Sequence, residues 1–161
     1  MKPKKLLILF LIVLFTVLQC TALNYINIFK IKPDILLVLI IFFSLNFGKI
    51  YGMIVGALCG LFNEATCGVA CGQMVFIYSF AGLILGYIGR WVYNQRIANQ
   101  ICIAFVFNLV IYLFLFFLFQ LENVNLPLFS ALIFTILPAS IYTALVTPVL
   151  FLFLNTVLNL K

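Results

Sequence analysis

Groups that hold or move charge are scarce in this chain. It has three acids, Asp34, Glu64 and Glu122, and no histidine. General acid–base work needs two ionisable groups within reach of one substrate. Asp34 and Glu122 could approach Glu64, but no histidine, serine or metal cluster stands with them. No catalytic, cofactor-binding or metal-ligating residue is therefore assigned. Of the five cysteines, Cys20, Cys59 and Cys102 lie inside apolar blocks and read as small apolar residues. Cys67 and Cys71 bracket a glycine-rich turn, where a disulfide and two free thiols are both open. A metal site would want histidine or a second cysteine pair.

The remaining polar candidates are anchors and not reactive groups. Asp34 follows Pro33 and opens an aliphatic run, where an acid complements a helix dipole. Glu64 follows Gly60 by one helical turn. It reads either as a capped, solvated loop acid or as an anchor pairing with Asn63, Gln73 or a partner's cation, since an acid at a membrane boundary must be hydrated or paired. Asn108 lies inside a long apolar block, where such a side chain usually bonds across to a neighbouring helix; a ligand contact is the minority reading. Tyr78 and Tyr142 read as core.

The elements that carry these residues are those of a membrane. The chain has 161 residues, 67% apolar and 7% charged, too little charge to cover a soluble surface. The apolar residues come in blocks that a bilayer absorbs and a small soluble core does not. No extramembrane stretch is long enough to fold alone, so residues 1–161 form a single integral-membrane helical domain. The net charge of +6 is spread over the ends of apolar blocks, a topology signal and not a nucleic-acid footprint. Lys2, Lys4 and Lys5 before Leu6–Leu18 resemble a signal peptide, and Val17-Leu18-Gln19-Cys20 resembles a lipoprotein cleavage box. Gln19 occupies the position where a small residue is wanted, and everything downstream is equally apolar, so a retained first helix is expected.

The expected fold class is an all-α polytopic bundle of six transmembrane helices. The spans are Leu6–Leu23, Asp34–Phe47, Ile50–Ala65, Gln73–Gly89, Ile101–Leu121 and Leu128–Leu154. The second is short against the ~20 residues a span needs. Thr66–Gly72 reads as a loop and Arg90–Gln100 as a cationic linker. The sixth span is overlong, kinked at Pro138 and Pro148 or broken into two half-helices. With both termini in the cytoplasm, Lys2, Lys4, Lys5, Lys49, Arg90, Arg96 and Lys161 all fall inside, and only Lys30 and Lys32 fall outside. All three acids fall on the outer side. Tyr51, Tyr87, Trp91 and Tyr93 lie near the inner boundary as an aromatic belt. Lys49, Arg90, Trp91 and Arg96 are the topology and headgroup anchors.

Gly52, Gly56 and Gly60 recur every fourth residue, and Gly82 and Gly86 repeat the pattern on the next helix. Such stripes let backbones approach closely where no hydrophobic drive joins helices. Contact between the two stripes within the chain is the expected use; a partner's helix is the alternative.

In this order and spacing the chain resembles the rod-shape-determining MreD family over nearly its whole length. The carriers are the basic start, Lys32-Pro33-Asp34 opening Ile35–Ile41, the Gly48-Lys49 turn and the Gly52/Gly56/Gly60 stripe. They continue with the acid at Glu64, the turn through Gly68 and Gly72, and Gly82 and Gly86 before Arg90. The family commonly has Asp where this chain has Glu64, and the cysteines of the Cys67–Cys71 turn are unusual. The resemblance implies a non-enzymatic, multi-pass component of the cell-elongation machinery in the bacterial cytoplasmic membrane. It implies MreC, a RodA-type glycosyltransferase and a class B penicillin-binding transpeptidase as partners, with the MreB filament beneath. It also implies a bundle similar to the substrate-binding subunits of energy-coupling-factor vitamin transporters. Those subunits supply the alternative function, but they carry small residues on their first helix, and Leu6–Leu18 contains neither glycine nor alanine.

The topology is open to test through the native thiols. Cys67 and Cys71 should react with a membrane-impermeant reagent in intact protoplasts, and Cys59 and Cys102 should react only after the membrane is dissolved. Labelling at Cys67 that requires permeabilisation would invert or discard the arrangement.

Overall fold

The computed structural model describes residues 5–20, 33–67, 72–92, 97–121 and 132–158. These residues form six α-helices and one π-helical turn, with no strand among them. The helices are α1 (Lys5–Cys20), α2 (Ile35–Phe47), α3 (Lys49–Cys67), α4 (Gln73–Val92), α5 (Ile97–Leu121) and α6 (Leu137–Leu158), the last preceded by the π-turn Leu132–Ile136. By length and composition, α5 over Ala98–Leu118 and the π-turn plus α6 over Leu132–Leu158 are apolar enough to cross a membrane; Ile8–Gln19, Ile35–Phe47 and Gln73–Gly89 are shorter apolar helices.

The centre of the bundle is α2. Every side chain from Ile35 to Ser44 is buried. A helix hydrophobic all round has no polar face to give to water and must be enclosed. It touches all five other helices, α1, α3, α4, α5 and α6, and Phe42 packs edge-on against Phe151 of α6 at 5.1 Å between ring centres. The Gly48 turn that follows needs a positive φ of 89°, which costs glycine nothing. Its N–H donates to the Ser44 carbonyl at 3.0 Å, closing α2 while α3 starts at the next residue.

Backbone contact joins α3 to α4. A Cβ at Gly56 would strike the Tyr78 carbonyl, one at Gly60 the Val75 backbone, and one at Gly86 the Lys49 backbone. Gly52 and Gly82 oppose each other, and a Cβ on either would strike the other's carbonyl. The two stripes therefore face one another inside the chain. Ser44 of α2 fills the same crossing point beside Gly52.

Several element limits differ from the sequence-based expectation. The third helix runs through Thr66 to Cys67, because the Thr66 hydroxyl donates back to the Phe62 and Asn63 carbonyls at 2.9 Å and stays compatible with helix. The fourth continues past Gly89 to Val92, and the fifth begins at Ile97, with Gln100 buried inside it and not in a linker. The last helix extends to Leu158 and is continuous from the π-turn through Pro148. Pro138 falls where the π-turn passes into α6. A proline lacks the N–H that an α-turn would need there, and a wider turn accommodates the loss. Residues 21–23 of the first expected span, 128–131 of the sixth, and Lys30, Lys32, Arg96, Cys71 and Glu122 lie outside the described residues.

The glycine contacts predict a sharp positional effect. Gly56→Leu should lower thermal stability in detergent, since overpacking typically costs ~1–3 kcal/mol and here the obstacle is backbone that cannot rotate away. Ile54→Leu, at a residue 48% exposed on the opposite face, should leave the melting temperature unchanged. Equal tolerance at both positions would remove the close-packing account.

Candidate functional site

Five helices place polar atoms around one buried carboxylate. Asp34 is the N-cap of α2, 5% exposed, and its Oδ1 accepts the Leu37 N–H at 3.1 Å. This is the position where a short acid side chain best satisfies a first-turn amide. The other oxygen, Oδ2, accepts the Tyr78 hydroxyl of α4 at 2.7 Å. Asn63 of α3 reaches the same hydroxyl through its amide at 3.5 Å. The backbone N–H of Asp34 donates to Thr143 Oγ1 of α6 at 3.0 Å. Gln19 of α1 accepts the neighbouring Leu36 N–H at 3.2 Å. The start of α2 is thus tied to α1, α4 and α6, and through Tyr78 to α3.

The arrangement is a clasp and not an acid–base pair. Both carboxylate oxygens are met by neutral donors, and a carboxylate so buried would be costly without them. Tyr78 spends its proton on Asp34. Thr143 likewise spends its own on the Ala139 carbonyl at 2.8 Å, so it can only accept from Asp34. Among the described residues no group of three or more His, Cys, Asp or Glu side chains could hold a metal.

Glu64 lies apart from the clasp, at the end of α3. Its carboxylate accepts the Met74 N–H at 2.7 Å and the Gly72 N–H at 3.2 Å. It therefore caps α4 from across the turn, where an anion also meets the positive end of the helix dipole. Gly72, at φ 71°, gives the chain the entry that brings both amides to one side chain.

Asn108 of α5 is fully buried and meets Ser140 of α6, whose hydroxyl stands 3.4 Å from Asn108 Oδ1. That hydroxyl also donates to the Ile136 carbonyl at the shorter distance of 2.8 Å. The Asn108 amide nitrogen meets no hydrogen-bond partner among the described residues. Ser140, Thr143 and Thr147 make a buried polar row along α6, each hydroxyl bonded one turn back. Lys49 is exposed at the start of α3, while Arg90 and Trp91 lie in the last turn of α4. A groove of about 220 Å³ runs between α4 and α5, lined only by apolar residues such as Phe76, Phe80, Phe107 and Phe114.

Sequence reasoning brings Asp34, Glu64 and Asn108 forward, and the structure places them at three separate points. It passes over the residues that complete the clasp. Tyr78 reads as core, and it is core, but a buried phenol needs a partner for its hydroxyl, and that need is the usable signal. Gln19 is noticed only as a departure from a cleavage box. Nothing in the sequence pairs Thr143 with Asp34.

The model of the rod shape-determining protein MreD family matches residues 3–160, essentially the whole chain. The chain belongs to the MreD family. No curated protein and no solved structure matches it. MreD proteins are membrane proteins concerned with rod-shape determination.

The clasp and the cap predict losses of stability. Tyr78→Phe strips one donor from the buried Asp34 and should cost ~1–3 kcal/mol. Glu64→Ala removes two bonds from the start of α4 and should cost up to ~2 kcal/mol, the upper range for a lost cap. Glu64→Gln should fall between Glu64→Ala and the parent, because one acceptor oxygen survives. Thermal unfolding in detergent measures all three; a Tyr78→Phe protein as stable as the parent would dissolve the clasp.

Proposed function

We propose that this chain is a non-catalytic scaffold of the bacterial cell-elongation machinery. It forms one domain of six membrane-crossing helices in the cytoplasmic membrane, with both termini cytoplasmic. It holds MreC and the lateral-wall synthases, a RodA-type glycosyltransferase and a class B penicillin-binding transpeptidase, in one complex above MreB. Family membership over residues 3–160 carries this reading. The geometry supports it from a second side. The carboxylates of Asp34 and Glu64 are engaged in holding helices together, so the surfaces left for partners are apolar helix faces and the polar ends of the bundle. A bundle whose two described carboxylates are both spent on its own backbone and side chains suits a protein that works by binding.

The vitamin-transporter alternative gains nothing from the α4–α5 groove. A small-molecule site places a few polar groups among its apolar walls to fix orientation, and the α4–α5 groove has none.

Depletion of the protein should give rounded, widened cells, and affinity purification from native membranes should recover MreC with the wall synthases. Glu64→Ala should weaken that recovery in proportion to its loss of protein level, since the cap serves the fold. Unchanged cell shape together with no co-purifying elongation protein would defeat the scaffold reading. A vitamin-uptake defect in the same strain would move the assignment to the transporter subunit.

A further inference from the structure

The charged residues that bracket α3 are close together for a membrane span. Lys49 is exposed at its first residue, and Glu64 is half-buried near its last turn. At about 1.5 Å of rise per residue they are about 22 Å apart along the axis. The hydrocarbon core of a typical bilayer is ~30 Å thick. Lys49 can recover a few ångströms by extending its stem toward the interface. Glu64 cannot move outward, because both of its oxygens are held by the Gly72 and Met74 amides. The next helix is bounded in the same way. From the capped amide of Met74 to Arg90 is about 24 Å of rise. Tilt shortens the projection of either helix on the membrane normal and widens the shortfall.

The other side of the bundle is different. The apolar stretch Ala98–Leu118 of α5 rises about 30 Å and Leu132–Leu158 about 40 Å. Among the described side chains, the exposed large ones run from Ile50 to Leu61 on α3 and from Phe76 to Ile88 on α4, against Ile133 to Val157 along the π-turn and α6. On α5 they run from Val106 to Phe117, so the greater reach there is that of the apolar stretch and not of its exposed side chains. The still shorter α2 does not enter the comparison, because it is enclosed and meets no lipid.

We propose that the α3–α4 hairpin presents a hydrophobic belt several ångströms thinner than an ordinary bilayer core. The lipid beside it is compressed, and the protein prefers thinned or short-chain bilayer there, while α5–α6 matches full thickness. The partner is the hydrocarbon of the bilayer itself, selected by acyl-chain length. The inference rests on the membrane-crossing reading of these helices.

The test reconstitutes the full chain in vesicles of monounsaturated phosphatidylcholines of graded chain length. Apparent unfolding temperature and resistance to alkaline extraction are read in each. The parent should be most stable in chains shorter than those giving a ~30 Å core. Lys49→Met and Lys49→Leu remove the charge that ends the belt, and each should move the optimum at least one step toward longer chains. A parent optimum at or above ordinary thickness would overturn the proposal, as would unmoved optima in both variants. Extraction by alkali from every vesicle would overturn the crossing reading itself, and the proposal with it.

Discussion

A carboxylate taken out of water has to be met by donors, and Asp34 sets that demand at the heart of the bundle. Its own helix supplies one donor, the Leu37 amide, and α4 supplies the other, the Tyr78 hydroxyl. The demand then spreads. Tyr78 must stand at a fixed height on α4, so α4 must lie at a fixed height against α2. The backbone of the same residue abuts Gly56, so α3 is set as well. Thr143 fixes α6 through the Asp34 amide. Within a membrane, where apolar side chains gain little by leaving lipid for each other, such directional contacts and close backbone packing decide the arrangement.

The two carboxylates in described regions illustrate one device used at different depths. Each satisfies the first-turn amides of a helix, Asp34 for the helix it opens and Glu64 for a helix reached across a turn. The first is local in sequence and recognisable as an N-cap following Pro33. The second is not, since its partners lie eight and ten residues away and depend on how the turn folds. The same device leaves neither of these two acids free.

The helical class and the glycine stripes were legible because both depend on local pattern. Apolar blocks mark helices whatever they pack against, and glycines every fourth residue mark a face that can admit a backbone. Helix ends were less legible. Thr66 and Gln100 look like loop residues by polarity, yet one bonds back to its own helix and the other is buried by tertiary packing. The clasp was least legible. Tyr78 and Thr143 are ordinary residues whose importance comes from what the fold brings beside them. Their separations from Asp34, 44 and 109 residues, carry no periodic signal.

That last separation bears on how the chain is made. A ribosome adds roughly 5–20 residues per second, so the amide of Asp34 exists for several seconds before Thr143 is synthesised. During that interval the α3–α4 hairpin, close in sequence, can already have formed against α2, while the side of α2 destined for Phe151 has no partner. The nascent bundle is therefore an open cup until its final helix arrives. The side of α2 that Phe151 covers thus gains its partner only at the end of synthesis, and the core is finished last where it is most enclosed.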